Sequence, residues 1–88
     1  MLTLDEVVSE NETLETISRN CSRMRHPSTD IATGSALLVE TVALLEGLQI
    51  AADKRGNVAR GDILETARLA IGHGEWSTAS QALARLVR

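Results

Sequence analysis

The chain has 88 residues, a net charge of −3 and a sequence pI near 5.3, which makes it one domain and argues against binding nucleic acid through a general basic surface. Its hydrophobic fraction of 43% excludes a disordered chain, but that fraction contains no Phe, no Tyr and a single Trp. A core of Leu, Ala, Val and Ile is thin in a monomer this short, so a partner chain is expected to complete it. Cys21 is the only cysteine. It cannot form an intramolecular disulfide, and a lone thiol fits a reducing, cytoplasmic setting. The opening stretch MLTLDEVVSENE carries acid where an export signal needs basic charge.

Strand signals are absent and helix signals recur, so the expected fold is all-α: a small four-helix bundle-like domain spanning 1–88, with helices near 3–25, 29–53, 62–72 and 75–88. The first helix opens on Thr3-Leu4-Asp5-Glu6, a capping-box pattern with Thr3 as N-cap. Leu4, Val7, Val8, Leu14, Ile17, Cys21 and Met24 share one face, which Asn11 and Ser18 dilute, leaving room for a break near Ser9–Asn11. Acidic residues gather in the first half and Arg19, Arg23 and Arg25 follow, an order that complements the helix dipole. Pro27 ends the helix.

Ser28, Thr29 and Asp30 are successive N-cap candidates for the second helix, which dominates the chain. Residues 31–52 read IATGSALLVETVALLEGLQIAA. Leu37, Leu38, Val42, Leu44, Leu45 and Leu48 cover about half of its circumference. The other half is also mostly apolar, with Ala32, Ala36, Val39, Ala43, Gly47 and Ile50, interrupted by Glu40 and Glu46. Apolar residues all round predict burial on both sides: one against the chain's own helices, the other against a second copy. Val39, Ala43, Glu46 and Ile50 are the expected dimer interface, with Glu46 at its rim. The length suits a membrane span, but two carboxylates and several hydroxyl and amide groups argue against one.

Residues 54–61, KRGNVARG, read as a basic, glycine-containing loop, and Asp62 as the N-cap of the third helix. Ile63, Leu64, Ala67, Ala70 and Ile71 form its apolar face; Leu69 falls outside that face and is a candidate partner contact. Gly72-His73-Gly74 is a tight turn. The last helix places Trp76, Ala79, Ala82, Leu83, Leu86 and Val87 on one side, with Ser77, Gln81, Arg85 and Arg88 opposite. Trp76 is expected to pack on the third helix, and is the second candidate partner contact.

Gly74-Glu75-Trp76 followed by Ala79, with Ala67 before the turn and Leu83 after it, resembles a tetratricopeptide-type helical hairpin. The resemblance covers 62–88 only, and Thr66 and Ala70 stand where that pattern carries larger side chains. It implies a protein-binding role, although one unit cannot build the stacked groove of the repeat arrays.

No catalytic, cofactor-binding or metal-binding set emerges. Cys21, His26 and His73 lack the spacing of zinc ligands, and no phosphate loop or nucleophile motif is present. Cys21 falls on the apolar stripe and is expected to be an inert buried thiol. Glu40 and Glu46 lie about 120° apart on one helix and do not converge. The leading expectation is a non-enzymatic intracellular interaction module, a helical homodimer acting as a regulator, inhibitor, adaptor or chaperone. The alternative is a helix-turn-helix-like DNA-binding regulator. It would read bases with Ser77, Thr78, Gln81, Arg85 and Arg88 and touch phosphates with Lys54, Arg55 and Arg60. Ser80 occupies the apolar anchor site of such a recognition helix, and Glu75 is also out of place.

Overall fold

Thr3 starts the first helix as its side chains dictate. Its Oγ1 accepts from the Glu6 amide at 3.2 Å and donates to Glu6 Oε1 at 3.2 Å, which caps α1 over Leu4–Arg25. The computed structural model describes residues 3–86; Val87 and Arg88 lie outside them. α1 runs unbroken through Ser9–Asn11. The Thr13 and Thr16 hydroxyls bond back to the carbonyls of Ser9 and Glu12, which disposes of polar side chains without opening the helix. Pro27 then holds His26 extended and α1 stops.

Of the three possible caps of the second helix, Asp30 is the one used: its Oδ1 accepts from the Thr33 amide at 2.7 Å. Hydrogen bonds from that amide and from the Thr33 hydroxyl hold the exposed Asp30 carboxyl below its ordinary range. The cap is therefore at full strength at neutral pH and is lost as pH falls through the lowered value. α2 spans Ile31–Lys54. Gly56, at φ +68, ends it, and the amide of Asn57 bonds back to the Ala52 carbonyl at 2.9 Å.

The third helix begins earlier than the sequence suggests. α3 covers Val58–Gly72, with Asn57 Oδ1 accepting from the Arg60 amide at 3.1 Å as its cap. Residues 58–61 are thus helical and not loop. Asn57 closes one helix and opens the next, so the link between α2 and α3 needs only Arg55, Gly56 and Asn57. Gly61 fits inside the helix without strain, beside Asp53. A second positive-φ glycine, Gly74 at +72, makes the turn into α4, Trp76–Ala84.

The four helices run alternately up and down, and packing links α1 to α2, α2 to α3, α3 to α4 and α4 back to α1. The described residues contain no strand. Leu14, Ile17 and Cys21 from α1 meet Leu45, Leu48 and Ala52 from α2. Leu64 and Ile71 from α3 and Leu83 from α4 complete the centre. Ala67, Ala70, Ala79 and Ala82 line the seam between α3 and α4, where small side chains let the backbones approach closely.

Two polar clusters fix how the helices meet. Asn20, buried on α1, donates from Nδ2 to Glu40 Oε1 at 2.8 Å and Thr41 Oγ1 at 3.2 Å on α2. At the other end, Glu10 accepts from Arg55 Nη2 at 2.8 Å and lies 3.5 Å from Arg60 Nη2, tying α1 to the link and to α3. The carboxylate side chain is 12% exposed, so it is shielded more than a surface pair. Removing it strands two guanidinium groups, one of which already has a buried Nε without a partner. Glu10→Ala is expected to cost about 1–2 kcal/mol and to lower the melting temperature by roughly 5–10 °C. Thermal denaturation followed by circular dichroism checks this; an unchanged midpoint would show the cluster to be decorative.

Candidate interaction surface

α2 presents two opposite faces. Inward it sets Leu37, Thr41, Leu45, Leu48 and Ala52 against its neighbours, all buried. At 100° per residue the centre of that stripe lies about 180° from the line Ala32, Ala36, Val39, Ala43, Gly47 and Ile50. Every residue of the second line is exposed. Val39 keeps 71% of its surface in water and Ile50 keeps 56%, values far above those of a packed aliphatic side chain. This is why α2 has a mean hydropathy of 1.5 over its most apolar 18-residue window, yet only 22% of that window is buried. By length and composition alone α2 is able to cross a membrane. In the fold it is a structural wall of the bundle, with one side left open.

The four residues expected at a dimer interface fall together here. Val39, Ala43 and Ile50 lie on the open face, and Glu46 sits at its edge, exposed. Glu40 behaves differently. Its carboxylate is drawn toward α1 by Asn20, an amide partner that hydrophobic patterning does not reveal. On the other flank, Gln49 accepts from Arg68 Nε at 3.1 Å and links α2 to α3. The open face is therefore bordered by polar contacts that fasten α2 to the rest of the bundle.

The two candidate partner contacts lie elsewhere. Leu69, 51% exposed, is on the side of α3 opposite Leu64, Ala67 and Ile71. Trp76 is half-buried at the far end of the bundle. It lines a shallow groove of about 250 Å³ with Met24 of α1 and Ile31, Gly34, Ser35 and Leu38 of α2. The indole packs against the core and also borders the start of α2, a neighbour that the sequence reading did not name. Ile31, at 89% exposed, forms the outer lip. A third apolar patch, Leu4, Val7 and Val8, is exposed on the first turns of α1. That patch was legible only as part of the α1 stripe.

The basic cluster and the thiol have structural surroundings. Arg55 and Arg60 are engaged by Glu10. Among the described residues, no group of three or more His, Cys, Asp or Glu is placed to hold a metal ion. Cys21 is 1% exposed in the core. Burial pushes its thiol above the ordinary range, with the positive charge of Arg25 pulling the other way. Comparison with protein-family models, curated proteins and solved structures returns no match.

Cys21 should react slowly with a thiol reagent in the native protein and quickly in denaturant, since the protonated, enclosed thiol is a poor nucleophile; fast native labelling at neutral pH would contradict its burial. The same raised value means that stability from the neutral thiol is complete at neutral pH and declines as pH rises through the ordinary thiol range toward the folded value. Trp76→Ala should cost about 2 kcal/mol, below the ~3–5 kcal/mol of a fully enclosed Trp. Its fluorescence should lie between that of buried and water-exposed indole. Water-like emission with normal melting would place Trp76 outside the packing altogether.

Proposed function

We propose that this chain is a non-enzymatic, intracellular protein–protein interaction module that assembles as a helical homodimer and meets another protein as a small regulator, adaptor, inhibitor or chaperone. The observation that carries this reading is the open apolar face of α2. Exposed Val and Ile on a helix whose other side builds the core is costly in water, and a covering chain removes that cost. The half-buried Trp76 groove offers the second contact, of a kind that suits an apolar side chain from a protein partner. The tetratricopeptide-like pattern of 62–88 supports the same direction, because that repeat binds proteins.

Lipid is a poorer occupant of the α2 face. Inserting α2 into a bilayer would remove Leu45, Leu48 and Ala52 from the core they build. Lying flat on an anionic surface would bring Glu40, Glu46 and Asp53 toward like charge. Nucleic acid is disfavoured by the net charge of −3 and by the engagement of Arg55 and Arg60 with Glu10.

Sedimentation over a range of concentrations tests the assembly. The apparent mass should rise from monomer toward dimer by about 100 micromolar, as expected of an interface smaller than the standard class. Ala43→Glu puts a charge in the middle of an exposed line, so it should keep the helical circular dichroism and abolish the rise. A wild-type chain that stays monomeric at that concentration would overturn the reading.

A further inference from the structure

The first half of α1 is held to the bundle by charge and hardly at all by apolar packing. From Leu4 to Ser9 every side chain is exposed, Leu4 at 78% and Val8 at 47%. Leu14 is the first residue of the helix to enter the core. Between the two, a carboxylate turns inward: the side chain of Glu10 is only 12% exposed. Aliphatic groups outside and a carboxylate inside reverse the usual order of burial.

The space beneath the segment is a second, separate observation. A depression of about 330 Å³ lies between the start of α1 and the end of α2, lined by Asp5, Glu6, Ser9, Glu10, Ala51 and Arg55. The two helices stand apart there, and Glu10 spans the gap. It accepts from Arg55 Nη2 at 2.8 Å and lies 3.5 Å from Arg60 Nη2. Among the described residues, Glu10 is the only acid of this segment in an ion pair.

The two halves of α1 therefore answer to different forces. Leu14, Ile17 and Cys21 are held by apolar burial, which does not depend on screening. The Glu10 cluster borders water and weakens as salt shortens the reach of charge, to roughly 3 Å at 1 M. Unwinding the first half regains chain entropy and gives up little apolar burial. It therefore requires much less free energy than unfolding the whole domain.

We propose that residues 4–13 form a strap that unwinds as one unit while the rest of the bundle stays folded, and that Glu10 on Arg55 and Arg60 is its latch. The break falls just before Leu14, where the helix first meets the core. With the strap open, the two guanidinium groups at the link between α2 and α3 lose their carboxylate. The strap is independent of how the outer face of α2 is covered, so a monomeric chain would open in the same way.

Native-state hydrogen exchange, read amide by amide at rising urea concentration, tests the strap. The amides of Val8 to Thr13 should share one level of protection, about a hundredfold or more below that of Ser18 to Cys21, and depend little on denaturant. Protection equal to that of Ser18 to Cys21, with the same denaturant dependence, would mean that α1 unfolds only with the whole domain. Protection that declines gradually toward Leu4 would mean ordinary fraying; either result overturns the proposal. Glu10→Gln keeps the shape and removes the charge, and should speed exchange of Val8 to Thr13 about tenfold. Sodium chloride at about 1 M should speed the same amides in the wild-type chain, with no substitution to disturb folding. Exchange there that ignores both the substitution and the salt would remove Glu10 as the latch.

Discussion

Leu45 and Leu48 point into the bundle, Val39 and Ile50 point out of it, and all four belong to α2. The rest of the structure is arranged around this excess of apolar surface on one helix. α1 and α3 flank α2 and close its inner side, while α4 closes the ring between α1 and α3. With two neighbours already packed on one side of the helix, no element among the described residues reaches the other. A core without Phe or Tyr needs α2's leucines inside, and the same helix cannot turn its remaining apolar residues inward as well.

Magnitudes bear on how firmly that outer face is covered. Full burial of a Val or Ile side chain is worth about 1.5–3 kcal/mol. Val39 and Ile50 are 71% and 56% exposed, so in a symmetric pair the four of them supply gross stabilisation on the order of 4–8 kcal/mol. Association itself costs about 4–15 kcal/mol. The balance is close, so the assembly proposed above is a reversible one.

Much of the fold was legible because helix signals are local. The capping box at Thr3, the stop at Pro27 and the turn glycines Gly56 and Gly74 act over a few residues, and each does in the structure what its chemistry implies. The two faces of α2 followed from spacing alone. What spacing did not convey is contact between distant segments. Glu10 meets Arg55 and Arg60 across 45 and 50 residues of chain, and Asn20 finds Glu40 and Thr41 because α1 and α2 are antiparallel. The start of α3 was misplaced for a local reason: two glycines and two arginines in 54–61 resemble a loop, while the capping use of Asn57 depends on how α2 ends. Trp76 packs on the core and also lines a groove with Met24 and the start of α2, which periodicity did not convey, because it gives a face and not the elements around it.

The proposed assembly requires that the outer line of α2 meet water only in the free monomer. Methyl resonances of Val39, Ala43 and Ile50, followed with a soluble paramagnetic probe as protein concentration rises, test it most directly. The account predicts that these three lose probe-induced broadening together with increasing concentration, while the exposed methyls of Val58 and Leu69 on α3 keep theirs. Equal and undiminished broadening of all five at every concentration would contradict it.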